Sequence, residues 1–159
     1  MKGPLSGVRV LALSQFIAGP FGSMLLGDMG AEVIKIEPPE AVANRALYGP
    51  CHEGESFYHL AFNRSKKSVT LDLRTRMGYE AFRDLVCISD VVWSNLRAES
   101  MKNIRADYNM VKKINPRIIS CPITGYGLSG PYRDRPSFDI GGLAMGGVMS
   151  LTGEPGGAP

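Results

Sequence analysis

Apolar runs alternate with polar turn segments over residues 8–37. Residues 8–13 form an apolar run that contains one charged residue, Arg9, and the run has the length of one buried strand. A Pro directly after a Gly is typical of a first helical turn, so the pattern predicts a helix over residues 20–29. A second apolar run predicts a strand over residues 31–37. Together they predict a βαβ unit with parallel strands, whose first loop lies at the carboxyl edge of the sheet, where ligands of open α/β folds bind.

The same alternation continues along the chain and sets the fold class. The helix of the first unit is expected to face the core with Phe21, Met24, Leu25 and Met29. Residues 38–54 contain several Pro and Gly and are expected to form a long loop. Further helices are predicted over residues 56–62, 77–88 and 107–114, and further strands over residues 68–72, 91–95 and 117–121. This order predicts an α/β, Rossmann-like fold with a mostly parallel sheet flanked by helices.

The last part of the chain differs in character from the rest. Residues 136–151 are apolar but carry Gly141, Gly142, Gly146 and Gly147. A Gly inside a helix costs roughly 1 kcal/mol relative to Ala, so we expect these glycines to allow close packing of backbone or ligand. The predicted division is a Rossmann-like binding domain over residues 1–135 and a Gly-rich segment over residues 136–159 that leads toward a missing remainder.

Composition narrows the class of protein. A chain of 159 residues with 44% apolar residues can bury one core, and its net charge of +3 gives no reason to expect a nucleic-acid partner. Without an apolar run of membrane-spanning length or a signal peptide, the protein is expected to be soluble and cytoplasmic. The odd number of cysteines (Cys51, Cys87, Cys121) argues against a disulfide framework. His52 and His59 lack the spacing of a known metal site, so no metal is expected.

Several motifs occur in a fixed order along the chain. They are Ala18-Gly19-Pro20, Gly27-Asp28-Met29-Gly30-Ala31-Glu32, Asn63-Arg64-Ser65-Lys66-Lys67, Leu71-Asp72-Leu73, Asn95-Leu96-Arg97, Asn115-Pro116-Arg117, Gly125-Tyr126-Gly127 and Phe138-Asp139-Ile140. This ordered set resembles the N-terminal part of the family III coenzyme A transferases, which include formyl-CoA transferase, carnitine CoA-transferase and the α-methylacyl-CoA racemases.

The resemblance implies an activity and an assembly. It implies transfer of CoA from an acyl-CoA donor to a free carboxylate, through mixed anhydride and enzyme-bound thioester intermediates on an aspartate, in a tightly interlocked homodimer. By the spacing of the resemblance that aspartate falls roughly ten positions beyond Pro159, so these residues alone are expected not to transfer CoA. A fragment, one piece of a split enzyme and a non-catalytic CoA-binding partner subunit all remain open. Racemase or isomerase activity is disfavoured, because Phe138 stands where the racemases have a histidine base.

The resemblance also implies ligand contacts, since the phosphates of CoA suit backbone N–H groups at a helix start and basic side chains. The implied contacts, with Lys66 and Arg97 favoured, are Ile17, Ala18, Arg45, Lys66, Lys67, Asn95, Leu96, Arg97, Lys102 and Arg105. Without the resemblance each basic residue would be expected to be a solvated surface charge.

Three of the implied positions leave alternatives open. Asn95 can equally be a turn residue at a strand end. Asp139 is either an active-site neighbour or the N-cap of the following helix. Some related transferases carry glutamine where this chain has Ile17, so the carboxylate that is exchanged stays open. A dinucleotide-binding dehydrogenase is excluded, because residues 14–19 lack the Gly-x-Gly-x-x-Gly turn.

Overall fold

The computed structural model of the chain describes residues 3–43, 45–46 and 49–157. The chain divides into two compact units, Met1–Ile123 and Thr124–Pro159. The division that the sequence predicts lies later, after residue 135, and stays a prediction.

The first unit contains a parallel five-stranded sheet with the order β5-β2-β1-β6-β7. Its strands are β1 (Arg9–Leu13), β2 (Glu32–Glu37), β5 (Lys66–Thr70), β6 (Val91–Ser94) and β7 (Ile119–Pro122). In chain order, β2 and β5 extend the sheet on one side of β1, and β6 and β7 then extend it on the other side. This is the doubly wound order of Rossmann-like folds, and it confirms the predicted fold class.

Helices cover both faces of this sheet. They are α1 (Ala18–Asp28), α2 (Pro39–Ala43), α3 (Phe57–Asn63), α4 (Arg76–Cys87), α5 (Ala98–Asn103) and α6 (Tyr108–Ile114). On one face Leu11, Ile34 and Val92 pack with side chains of α4, α5 and α6. On the other face Val10 and Val33 pack with a side chain of α1. Strands buried on both faces account for the continuous apolar runs of the sequence.

Helix α1 lies at its predicted place, but the predicted core stripe is wrong. Met24 is buried, whereas Phe21, Leu25 and Met29 are 45%, 42% and 41% exposed. The buried face of α1 consists instead of Gly19, Pro20, Ser23 and Met24. Small residues face the sheet because its side chains come very close.

Trp93 shows how close the sheet comes to α1. A Cβ at Gly22 would lie 2.4 Å from a ring carbon of Trp93, and Trp93 Nε1 donates a hydrogen bond of 2.8 Å to Gly19 O. Only a residue without a side chain fits at Gly22 in this arrangement.

Several boundaries differ from the sequence prediction. The expected long loop contains α2 and a short antiparallel hairpin of β3 (Cys51–His52) and β4 (Glu55–Ser56). Strand β5 begins at Lys66, so Lys66 and Lys67 lie in a strand rather than in a loop before it. The short helix α5 was not predicted. No helix within the described ranges is long and apolar enough to cross a membrane.

The described part of the second unit consists mostly of turns and contains two short helices. It contains α7 (Asp139–Met145) and a 3₁₀ helix (Val148–Leu151). Before α7, the rings of Tyr126 and Tyr132 meet edge to face with centroids 5.8 Å apart, and the Arg135 guanidinium lies 4.2 Å from the Tyr132 centroid. Aromatic and cation–π contacts thus order the turn-rich stretch that precedes the helix.

Candidate functional site

A cleft of about 510 Å³ opens at the carboxyl edge of the sheet in the first unit. Its walls come from residues that end or follow the strands: Leu13 to Phe16 after β1, Ile36 to Pro38 after β2, Leu71 to Arg74 after β5, and Leu96 after β6. The side wall contains residues of α2 and α3. The cleft therefore lies at the carboxyl ends of β5, β2 and β1, and Leu96 after β6 borders it on the side where the strand order reverses. The carboxyl edge is the usual ligand position in open α/β sheets.

Three buried polar residues, Ser14, Lys35 and Glu37, form what we call the polar floor of the cleft. Lys35 Nζ lies 3.0 Å from Glu37 Oε1, and the two side chains are 7% and 5% exposed. Burial lowers the pKa of Lys35, an effect that the hydrogen bond and charge of Glu37 partly offset. The Oγ of Ser14 is buried and has no hydrogen-bond partner among the described residues.

Arg45 joins the polar floor to the hairpin and to β5. Its guanidinium donates hydrogen bonds to Glu37, to Glu55 Oε1 at 3.0 Å and to Ser68 Oγ at 2.8 Å. Burial by itself raises the pKa of Glu37, but hydrogen bonds and charge from Arg45 and Lys35 hold that pKa below its ordinary value. Desolvation, together with the charges of Lys35 and Arg45, lowers the pKa of the neighbouring His59 imidazole. This buried ion network fixes the chain after β2 against the end of the sheet.

Arg74 lies at the rim of the cleft, four residues after the end of β5. Its guanidinium donates to Asp72 at 2.8 Å and to Glu40 Oε1 at 2.7 Å. More than half of the Arg74 side chain is exposed, so its charge is accessible to solutes. A phosphate bound at this guanidinium would replace one of its two carboxylate partners, Asp72 or Glu40.

Lys66 lies behind the cleft wall, at the amino end of β5. Its Nζ donates to Pro20 O at 2.8 Å, to Phe62 O at 2.8 Å and to Asn63 Oδ1 at 3.1 Å. Burial, with a smaller effect of the Lys35 charge, lowers the pKa of Lys66 to about 7. Lys66 therefore ties α1 and α3 to the sheet.

Comparison with known proteins decides the family. Residues 5–159 match the sequence profile of CoA-transferase family III. The chain belongs to this family. The resemblance noted from the sequence motifs is thereby confirmed.

Curated relatives within family III carry names of CoA-transferases. A succinate–glutarate CoA-transferase of Agrobacterium fabrum is 41% identical over 99% of this chain, and the match spans 41% of that protein. A succinyl-CoA–L-malate CoA-transferase beta subunit of Chloroflexus aurantiacus is 41% identical, with 98% and 39% coverage. A human succinyl-CoA:glutarate CoA-transferase is 40% identical, with 98% and 36% coverage. The chain spans about two fifths of the length of these relatives.

Two solved structures resemble the fold closely. The crystal structure of a CAIB/BAIF family protein from Brucella suis matches with a TM-score of 0.91 and 42% identity, over 100% of this chain and 43% of that one. A structure from Mycobacterium tuberculosis matches with a TM-score of 0.87 and 36% identity, over 99% and 44%.

Only some of the residues that the resemblance implied for CoA contact lie at the cleft. Arg45 and Leu96 line the cleft, and Asn95 supports it through hydrogen bonds to the main chain of Gln15. The exposed Ile17 and Ala18 lie at the start of α1.

The other implied residues lie outside the lining of the cleft. Arg97, at the start of α5, and Lys102 are both exposed. The guanidinium of Arg105 lies 3.7 Å from the Tyr79 ring centroid. Lys67 at the amino end of β5 forms an ion pair with Glu32. Ligand contact by these residues stays a prediction.

Asp139 lies in the second unit and is exposed. It occupies the first turn of α7, whose N-cap position is Phe138 and has no side-chain capping bond. The suggestion that Asp139 caps this helix is therefore wrong, while its role as an active-site neighbour stays a prediction.

Sequence reasoning missed four residues of the cleft: Ser14, Lys35, Glu37 and Arg74. A signal was present for two of them, because charged Lys35 and Glu37 alternate with apolar residues in a strand predicted to be buried. Arg74 follows a strand at the carboxyl edge, where ligand contacts of α/β folds concentrate.

Proposed function

We propose that this chain binds CoA in the cleft at the carboxyl edge, and that the protein moves CoA from an acyl-CoA to a free carboxylate. The observation that carries the proposal is the cleft at the carboxyl edge of the sheet of a family III chain, with Arg74 at its rim. CoA carries several phosphates on a nucleoside, and an exposed guanidinium beside an apolar cleft complements that combination.

Calorimetric titration of CoA tests the binding step. Arg74→Gln removes the rim charge and keeps most of the side-chain volume, so CoA affinity should fall about tenfold or more. Arg76→Gln is the matched control, because Arg76 is 90% exposed, pairs with Glu80 on the surface of α4 and is absent from the cleft lining. Equal affinities of the two variants, or no binding of CoA to the wild type, would contradict the proposal.

The acceptor is proposed to be a short dicarboxylate. Relatives at about 40% identity are named for succinate, glutarate and malate, and one at 38% is named for oxalate. Assays of CoA transfer from succinyl-CoA to matched mono- and dicarboxylates, with the full-length protein that contains this chain, test this choice. A preference for monocarboxylates would contradict it.

Pairing with a second chain is also proposed. Relatives include both an alpha and a beta subunit of one CoA-transferase, at 37% and 41% identity. A second copy of this chain is the proposed partner. Sedimentation over a wide concentration range tests the pairing, and a monomer at every concentration would contradict it.

A further inference from the structure

Two groups of the polar floor have hydrogen-bonding capacity that the described residues do not use. Ser14 is 8% exposed, and its Oγ has no partner within the described part of the chain. A lysine ammonium has three donors, and the buried Nζ of Lys35 lies 3.0 Å from one carboxylate oxygen, Glu37 Oε1. Buried polar groups are nearly always paired, so unused capacity in the wall of a cleft indicates a ligand contact.

The sheet register relates these groups: continued past the end of β1, it places Ser14 opposite Glu37 and diagonal to Lys35. In the parallel pairing of β1 and β2, Ala12 lies opposite Lys35. Side chains alternate between the two faces of a strand, so Ser14, two residues after Ala12, lies on the same face as Lys35 and Glu37. All three residues line the cleft. The floor therefore offers a hydroxyl and an ammonium group from neighbouring strands to one bound group.

The charges around the floor decide what kind of group fits there. The Lys35 ammonium is matched by Glu37, and the Arg45 guanidinium bonds to both Glu37 and Glu55. Two cations and two carboxylates leave this network without net charge. A phosphate brought into the floor would lie beside the buried Glu37 carboxylate, which repels it at low dielectric. An uncharged oxygen acceptor meets no such repulsion.

We infer that the polar floor binds an uncharged oxygen of the ligand, either a hydroxyl or an amide carbonyl, through Ser14 Oγ and Lys35 Nζ. The inference rests on the proposed function, since CoA carries such groups in its ribose and in its pantetheine arm. The floor then selects the neutral part of CoA, while the rim at Arg74 takes the anionic part.

Calorimetric titrations of CoA with Ser14→Ala test the inference. Loss of one neutral hydrogen bond should weaken CoA binding about fivefold. The loss should be equal at about 50 mM and about 500 mM salt, because salt screens charged contacts and leaves neutral ones. Ser6→Ala is the control, because Ser6 is exposed and lies outside the cleft lining. Lys35→Met should show a loss with the same lack of salt dependence, provided that its circular dichroism matches the wild type.

Titrations with adenosine, pantetheine and adenosine 3′,5′-bisphosphate locate the contact. A weaker Ser14→Ala complex with adenosine assigns the floor to the ribose, and a weaker complex with pantetheine assigns it to the arm; either supports the inference. Unchanged CoA affinity in Ser14→Ala, a loss seen with the bisphosphate alone, or a loss that disappears at high salt would overturn it. Failure of the wild type to bind CoA would instead refute the proposed function itself.

Discussion

Asn95 binds the main chain of Gln15 through both ends of its carboxamide. The Gln15 N–H donates to Asn95 Oδ1 at 2.9 Å, and Asn95 Nδ2 donates to Gln15 O at 2.7 Å. These bonds connect the segments that leave β1 and β6, the two strands between which the sheet changes direction. A Cβ at Gly19 would lie 2.6 Å from the same Oδ1 atom, so Asn95 also shapes the first turn of α1.

Asn95→Ala should therefore destabilise the chain. Two hydrogen bonds to a partly solvated backbone contribute about 1–2 kcal/mol to the free energy of unfolding. Urea denaturation measures this loss, and Asn109→Ala on the exposed surface of α6 is the control. If both variants unfold at the same urea concentration, the carboxamide does not hold the two segments together.

We expect a large loss of stability when Glu37, the central carboxylate of the ion network, is replaced. Glu37→Gln leaves the buried Lys35 without its carboxylate partner and leaves the partly buried Arg45 with Glu55 alone, which should lower the free energy of unfolding by about 3 kcal/mol. Glu80→Gln, on the exposed surface of α4, should change it by less than about 0.5 kcal/mol.

The effect of Glu37 should depend on pH in one direction. Its pKa in the folded chain is below the ordinary value of 4.5, so its contribution is complete above pH 4.5 and is lost as the pH falls through the folded-state pKa. The difference between wild type and Glu37→Gln should therefore shrink in acid. A difference that stays constant down to pH 2 would contradict this assignment.

The contribution of Lys66 to the stability of the fold should depend on pH in the opposite direction. Its pKa is about 7 in the folded chain against an ordinary value of 10.5, so the folded state binds fewer protons than the unfolded state between these values. The cost of burying the charged form is complete below pH 7 and is relieved as the pH rises toward 10.5, so stability should increase over that range. The three oxygen acceptors of Nζ oppose this shift.

Urea denaturation of Lys66→Met from pH 6 to pH 10 measures the contribution of Lys66. The increase in stability with pH should be smaller in Lys66→Met than in the wild type. Lys67→Met is the control, because the Lys67 side chain is 71% exposed. Identical pH profiles of the wild type and Lys66→Met would show that the three acceptors keep this lysine charged.

Two Gly→Ala substitutions should change stability in opposite directions, one through close packing and the other through helix propensity. A Cβ at Gly78 would lie 2.1 Å from Asp72 O, so Gly78→Ala should lower the free energy of unfolding by about 3 kcal/mol. A Cβ at Gly142 meets no described atom within 4 Å. Gly142→Ala should therefore stabilise α7 by about 1 kcal/mol, and a loss of stability would contradict the structure. Melting temperatures of both variants provide the measurement.

Local patterns were sufficient to predict the sheet. Strands β1 and β2 with α1 between them follow from apolar runs and from the Gly-Pro helix start, which depend on neighbours in sequence. Helix α4 was equally predictable, because its apolar positions recur at helical spacing and Thr75 caps it. The buried face of α1 was not predictable, because the ring of Trp93, distant in sequence, decides which residues fit against the sheet.

The residues that form the cleft could not be identified without the tertiary structure. Arg45 reaches Glu37, Glu55 and Ser68, three residues on different elements, and no spacing along the chain indicates that they meet. The family resemblance implies that Lys66, which lies near Arg64 and Lys67 in the sequence, contacts the ligand. The structure places its ammonium against backbone oxygens of α1 and α3, since β5 begins two residues earlier than its apolar pattern suggested.

Trp93 is the single tryptophan of the chain, and its indole N–H is bound to Gly19 in the first turn of α1. That turn follows Ser14, Gln15 and Phe16, which line the cleft. The tryptophan emission of this chain therefore originates from one indole close to residues that line the cleft. Occupancy can be followed optically, without a label, by exciting a fluorophore that the fold itself has placed beside the cleft.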